Sequence, residues 1–396
     1  EGGASPPGDP EAVNPARSAA RPMFAPFHEA LADPPGRLSL LRRRSGRPLI
    51  GVAPAYFPPE WVHAAGGLPV AFWGAALPVA RADALLPPYC CPVARSILEM
   101  ELAGRTAELA GWVFTSLCDT LVNLREIFRR LSSRPALVFP IPLATDPFAR
   151  RRRLAELIPA AFEDLARLTG TEVTFAALAS ASRLYGEIRN LQRRLYSLRR
   201  SRPGLIGVRN FYAALRAGFF MEPEEYRGRL ADLLSRLEAA PEPAAGRRPR
   251  LFLSGMVVPP EEVLGLLEHL GLDPADDDFA NGGRMISRPV FAPQDPAGSL
   301  EAAIFGGTPC CCLHVPGIDR AAVFPRLVRE AGAGGVLLLP VRCCEPDAFE
   351  RPAIGAGLAA AGIPALTMEM DCESLPLESL RTRLEAFREL LEESGP

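Results

Sequence analysis

Cysteine in this chain is concentrated where apolar, strand-length runs give way to helical patterns. Three segments stand at such points: Tyr89-Cys90-Cys91-Pro92-Val93-Ala94-Arg95-Ser96, Ser116-Leu117-Cys118-Asp119 and Arg342-Cys343-Cys344-Glu345-Pro346. The run Gly111 to Leu117 has strand length, and Asp119-Thr120 opens a helical pattern through Leu121, Leu124, Ile127, Phe128 and Leu131. Gly335 to Leu339 is a second buried-strand run, followed by Cys343-Cys344, a proline and an alanine-rich helical stretch. Pro92 suits the first position of a helix carrying Ile97, Leu98 and Leu102, with Cys91 beside its N-cap.

A lone cysteine at a strand end is ordinarily a small packed hydrophobe. Three such groups, two of them doubled, point instead to a shared ligand. Open α/β sheets bind ligands beyond the carboxyl ends of their strands, where helix N-termini offer free N–H groups and positive dipole ends. That field favours thiolate, the metal-ligating form of cysteine. The three groups therefore read as arms around one iron-sulfur cluster, whose fourth iron would lack a cysteine.

The rest of the chain repeats one grammar. Pro48 to Val52 reads as a strand, Pro58-Pro59 as a turn, Glu60 to Ala65 as a helix stopped by Gly66-Gly67, and Leu68 to Trp73 as a second strand. From Arg250 the order recurs: strand Leu251 to Gly255, turn Pro259-Pro260, helix Glu261 to Leu270, stop at Gly271. The fold expected is α/β, with two similar open-sheet domains at 47–147 and 249–396. A helical segment at 148–238 and a Pro/Ala linker at 239–248 separate them. Residues 1–46 are expected to be a mobile arm, to about residue 21, followed by short docking helices. Ala302 to Phe305 reads as a further strand end before Cys310-Cys311-Cys312. Phe211 to Leu237 continues the helical pattern, and Arg150 to Arg153, Arg193-Arg194 and Arg199-Arg200 read as a solvated face or as contacts for an anionic ligand.

Composition narrows the chemistry. All 44 basic residues are arginine, which excludes a lysine Schiff base, a lysine-bearing phosphate loop and a Ser-Lys dyad. A net charge of −2 gives no case for nucleic acid or a membrane surface. Nine cysteines, several adjacent, fit a disulfide framework poorly, and no stretch has the length of a membrane span or a signal-peptide core. Both point to the cytoplasm. The four histidines are scattered; only His63, near Glu60, stands close to a candidate site. Gly282-Gly283-Arg284 reads as a turn, with ligand approach as the alternative.

Taken in order, Pro-x-Glu before Ala-Ala-Gly-Gly-x-Pro, Cys-Pro-x-x-Arg-Ser, Cys-Asp, Cys-Glu-Pro and Gly-Ile-Pro-Ala-Leu-x-x-Glu-x-Asp resemble the 2-hydroxyacyl-CoA dehydratase D-component family. That family also includes benzoyl-CoA reductase subunits and double-cubane cluster proteins. The resemblance runs from about Pro48 to Leu391. It implies a 4Fe-4S cluster at the domain interface held by Cys91, Cys118 and Cys344. It also implies a homologous second subunit or a homodimer, an ATP-dependent iron-sulfur activator protein, and an acyl-CoA substrate that loses water through a ketyl radical. Glu60, at a helix start near the strand ends, is the candidate base for the β-proton, with a first-turn glutamate favoured by the helix dipole as the alternative. The extra thiols Cys90, Cys311 and Cys343 are further candidate ligands. They leave open an 8Fe-9S double-cubane cluster and an ATP-dependent reductase, or a non-catalytic paralogue.

Overall fold

The computed structural model describes residues 15–393 except 55, 76, 244–247, 314 and 372–375, and the side chains from residue 22 onward. Residues 1–14 of the expected mobile arm, part of the expected linker, His314 and Cys372 lie outside the described residues.

Two helices, α1 (Pro15–Ala32) and α2 (Pro34–Ser45), lead into β1 (Leu49–Ala53), α3 (Pro59–Ala64), β2 (Leu68–Ala71), α4 (Pro92–Leu102), β3 (Leu109–Thr115), α5 (Asp119–Leu131) and β4 (Ala136–Phe139). The helical region follows as α6 (Pro147–Thr169), α7 (Phe175–Ser201), α8 (Val208–Arg216) and α9 (Pro223–Ala239). The second half runs β5 (Arg250–Gly255), α10 (Glu261–His269), β6 (Asp273–Asp277), α11 (Gly283–Ser287), α12 (Pro296–Phe305), α13 (Arg320–Glu330), β7 (Gly335–Leu339), α14 (Glu345–Ala360), β8 (Ala365–Thr367) and α15 (Leu377–Glu393).

Each half forms a four-stranded parallel sheet, in the orders β2-β1-β3-β4 and β6-β5-β7-β8. These are one topology twice over: in each, the chain returns across its first strand to lay down its third. The carboxyl ends of the first and third strands then flank the point where the winding reverses, the usual ligand crevice of such sheets. The strands there are apolar because helices cover both faces; β1 and β7 are buried along their whole length. Gly51 in β1 is required by packing, since a Cβ there would stand 2.6 Å from the Trp112 ring.

One strand breaks this pattern. β6 is Asp-Pro-Ala-Asp-Asp, a sequence of low strand propensity that is nonetheless mostly buried. Its carboxylates are met by partners from elsewhere: Arg200 Nη1 donates to Asp276 at 2.6 Å, and the Tyr196 and Tyr212 hydroxyls donate to Asp277 Oδ2 at 2.7 and 3.0 Å. Burial pushes the Asp277 carboxyl up to about 6, with repulsion from Asp276 adding to it.

Several expectations are corrected here. α1 begins at Pro15, inside the segment expected to be mobile. Ala302 to Phe305 ends a helix rather than a strand: Asp295 caps it by accepting from Gly298 N, and Pro296 opens it. Phe211 to Leu237 is two helices, because Pro223 holds Glu222 in extended backbone and starts α9 afresh. Of the arginine clusters, Arg151, Arg152, Arg153, Arg193, Arg194 and Arg200 are exposed, as a solvated face requires, while Arg150 and Arg199 are buried ties. Arg150 is 4% exposed and paired with Glu301 at 3.1 Å, while Arg193 Nε donates to Ile286 O and Arg199 packs over the Phe211 ring.

The two halves also share a core. Phe291, Leu300, Ile304, Phe305, Leu313 and Val341 from the second half belong to the hydrophobic cluster around β1 and β3. The segment after α11 therefore clamps the first sheet to the second, and the carboxyl ends of both sheets face one space.

Candidate metal centre

That space is a cavity of about 790 Å³. Its walls include Pro54 beyond β1, Leu117 and Cys118 beyond β3, Met256 and Val257 beyond β5, and Val341 with Cys343 and Cys344 beyond β7. Seven cysteines line it: Cys90, Cys91, Cys118, Cys311, Cys312, Cys343 and Cys344.

Cys91, Cys118 and Cys344 hold equivalent places, each the N-cap residue of a helix: α4, α5 and α14 respectively. The proline after Cys91 and the Glu-Pro after Cys344 set the first helical turn, and the backbone N–H of Asp347 favours the Cys344 thiolate. The N–H groups of Leu121 and Thr120 favour the Cys118 thiolate, against the larger effect of burial, which raises its pKa. Burial likewise pushes the Cys344 thiol far up, and the charges of Cys91 and then Cys118 push it further. Cys344 thus senses both Cys91 and Cys118 across the cavity.

The spacing bears on what the three thiols could hold. A single tetrahedral zinc, with bonds of 2.3 Å, needs sulfurs roughly 3.8 Å apart. Among the described residues, the cluster of three potential ligands within 4.8 Å of one another is Cys310, Cys311 and Cys312, not the three N-cap thiols. The three N-cap thiols are not drawn together closely enough for one such ion.

The chain builds this arrangement with residues that have no cavity role of their own. Glu99 on α4 accepts from the backbone N–H groups of Ala80, Arg81 and Ala82 at 2.8 to 3.1 Å, and Arg95 pairs with Asp83, so the loop before Cys90 is pinned to the helix that Cys91 caps. Ser96 Oγ accepts from Ala75 N at 3.1 Å. These contacts explain the Arg-Ser of the Cys-Pro-x-x-Arg-Ser motif.

The Cys310 to Cys312 group forms a turn closed by Leu313 N donating to Cys310 O at 3.0 Å. Cys311 and Cys312 face the cavity, while Cys310 turns into the core, where Arg284 Nη1 donates to its sulfur at 3.3 Å. Arg284 is fully enclosed and pairs with Asp278, which also holds Arg320. Cys311 Sγ stands 3.3 Å from Met256 Sδ and 4.0 Å from Cys312 Sγ. Cys343 is exposed and has φ of +57°, a left-handed backbone rare outside glycine and a frequent mark of functional sites.

Glu60 does not line the thiol cavity. It is 4% exposed, and its Oε1 accepts from Phe291 N at 2.9 Å across 231 residues of sequence, tying α3 to the clamp segment. Burial raises its pKa, opposed by backbone N–H groups and by Arg189. His63 is also away from the cavity: burial and Arg47 hold it down at about 4, and it stands 3.3 Å from Glu224.

Beside the thiol cavity lies a smaller one of about 110 Å³, between the ends of β1 and β2 and the helices α7 to α9. Trp73 lines both. Pro59, next to Glu60, lines the smaller one, with Tyr185, Arg189 and Gln192. Asp278, Met256 and Glu99 carry no signal in the sequence; Trp73 reads there only as a strand end, and Arg284 only as part of the Gly282-Gly283-Arg284 turn, which begins a short helix.

Comparison with known proteins agrees with this arrangement. The family model described as 2-hydroxyglutaryl-CoA dehydratase, D-component, matches residues 54–391. The chain is 28% identical over 380 residues to the (R)-2-hydroxyglutaryl-CoA dehydratase beta subunit of Acidaminococcus fermentans, covering 93% of this chain and 99% of the other. It is 25% identical over 371 residues to the (R)-phenyllactyl-CoA dehydratase beta subunit of Clostridium sporogenes, covering 93% and 98%. With a benzoyl-CoA reductase subunit of Thauera aromatica it shares 27% identity over 351 residues, covering 86% and 90%. A match that runs from just after β1 into α15 and takes in every cysteine group of the cavity is a family relation: the chain belongs to the 2-hydroxyglutaryl-CoA dehydratase D-component family.

Proposed function

We propose that this chain is an iron-sulfur subunit of a 2-hydroxyacyl-CoA dehydratase-like lyase. It would eliminate water from an acyl-CoA thioester by a radical route, together with a homologous second subunit or a second copy, and with an ATP-dependent iron-sulfur activator. The observation that carries the reading is the convergence of three helix N-cap cysteines, Cys91, Cys118 and Cys344, on one cavity at the facing carboxyl ends of two sheets. The dehydratase beta subunits among the relatives support the reaction class.

In this reading the three thiolates would hold a 4Fe-4S cluster, and the backbone N–H groups of α5 and α14 would favour the charged forms of Cys118 and Cys344. When bound, the cluster supplies low-potential single-electron transfer and Lewis acidity. Trp73 and Leu86 on the cavity wall would limit the access of water to the thioester. Glu60 is the proposed base for the β-proton. Its support is burial, which raises the carboxyl toward a useful basicity, and its place beside Pro59 on the wall of the smaller cavity.

Iron and acid-labile sulfide per chain, measured after anaerobic purification, test the reading. About four irons, lost in each of Cys91→Ala, Cys118→Ala and Cys344→Ala, are expected; no iron after reconstitution would sink it. Glu60→Gln keeps an acceptor for Phe291 N, so it should retain iron and fold while losing turnover by roughly 10²-fold or more.

A second reading has its own observation. Cys90, Cys311, Cys312 and Cys343 line the same cavity as the three arms, enough thiols for an 8Fe-9S double cubane and an ATP-dependent reductase. About eight irons, sensitive to Cys311→Ala and Cys312→Ala, would select it.

A further inference from the structure

The Cys310-Cys311-Cys312 turn has a geometry that the three N-cap thiols do not share. Consecutive residues of an extended chain point their side chains to opposite sides, but the bond from Leu313 N to Cys310 O at 3.0 Å curls this segment back on itself. All three sulfurs then lie within 4.8 Å of one another, with those of Cys311 and Cys312 4.0 Å apart. Three thiolates in one plane around an ion, at a bond length of about 2.3 Å, stand about 4.0 Å apart. A fourth soft donor is at hand, because Met256 Sδ, from the loop beyond β5, is 3.3 Å from Cys311 Sγ. Arg284 Nη1 reaches two of these sulfurs, Cys310 Sγ at 3.3 Å and Met256 Sδ at 3.5 Å. Its enclosed guanidinium offsets part of the negative charge that such a set of thiolates gathers. Cys310 is buried in the core while Cys311 and Cys312 line the thiol cavity, so an ion would enter from the cavity and lodge at the edge of the core.

We propose that Cys310, Cys311, Cys312 and Met256 form a second metal site, separate from the three N-cap arms, for a single soft ion, copper(I). The thioether decides the class. Zinc takes thiolate, imidazole and carboxylate, whereas thiolates joined by a thioether are a donor set of copper(I). Binding is a ligand exchange: each thiol releases its proton as its sulfur bonds to the ion, and the ion keeps its oxidation state. The site goes beyond the cluster reading and competes with the double cubane, since Cys311 and Cys312 cannot serve both. Its donors come from the end of β5 and from the crossover between α12 and α13, so the ion would tie the second sheet to the clamp segment.

The test uses the full chain, purified without oxygen and equilibrated with copper(I) in a chromophoric chelator buffer that lets only tight sites fill. Copper and iron are then counted after gel filtration. The unaltered chain should hold about one copper more than Cys311→Ala or Cys312→Ala, and X-ray absorption at the copper edge should show sulfur neighbours alone. Met256→Leu keeps the volume and removes the thioether, so it should weaken copper binding by about tenfold. It also keeps the test valid if a cysteine variant fails to fold. Equimolar zinc should leave the copper in place, and iron per chain should be the same with and without Cys312. Absence of tight copper binding would overturn the proposal, as would copper that Cys311→Ala, Cys312→Ala and Met256→Leu all leave unchanged, or copper that zinc displaces. Loss of about four irons in Cys311→Ala and Cys312→Ala would overturn it in favour of the double cubane.

Discussion

Arg284 carries a full charge with no solvent contact, and its neighbours show why that is tolerated. Asp278 neutralises it, Cys310 and Gly255 O accept from it, and Arg320 closes the other side of Asp278. Removing one member of such a buried set leaves the others uncompensated, so Arg284→Met should cost about 3 to 5 kcal/mol, read from the urea midpoint. Asp277 is the opposite case. Its folded pKa, about 6, is raised above the ordinary 3.8, so between these values the folded state holds more protons than the unfolded one. Its contribution is therefore fully present at acid pH and is lost as pH rises to about 6, on the order of 3 kcal/mol. Urea midpoints at pH 4 and pH 7 should differ in the unaltered chain by more than in Asp277→Asn.

At the scale of elements, the helices that build the site depend on ordinary caps. α7, which brings Tyr185, Arg189 and Gln192 to the smaller cavity, starts at Thr174, whose side chain accepts from Ala177 N at 3.1 Å. Thr174→Ala should lower stability by about 1 kcal/mol in thermal or urea unfolding, with no change in iron content. Most of these elements were legible in the sequence. Apolar strand runs, Gly stops such as Gly170 and Gly271, and cysteines before proline or aspartate are local signals, and β7, α5 and α6 lie close to where those signals put them. β6 was not legible, because nothing local makes Asp-Pro-Ala-Asp-Asp a strand; arginines and tyrosines from α7 and α8 make it one. The same holds for Arg284 and Glu99, whose roles depend on partners brought together only by the fold. Ala302 to Phe305 misled because a four-residue apolar run has no period, and its cap at Asp295 lies well upstream.

For the whole molecule, the two sheets, their shared core and the cavity between them form one cooperative arrangement. A centre that binds only when both halves are in place stabilises the closed form by mass action. Iron-loaded protein should therefore unfold at a higher temperature than chelator-stripped protein under anaerobic conditions, and Cys118→Ala should show no such difference. Among the described residues no helix is long and apolar enough to cross a membrane.

The repeated strand order also sets where the thiols stand. Cys90 and Cys91 lie in the crossover from β2 to β3, and Cys310 to Cys312 in the matching crossover from β6 to β7; Cys118 follows β3, and Cys343 and Cys344 follow β7. Each half thus brings one thiol group from its second crossover and one from its third strand. The cavity is therefore reached from matching points of one topology on its two sides. The numbers differ between the halves, two and one in the first against three and two in the second.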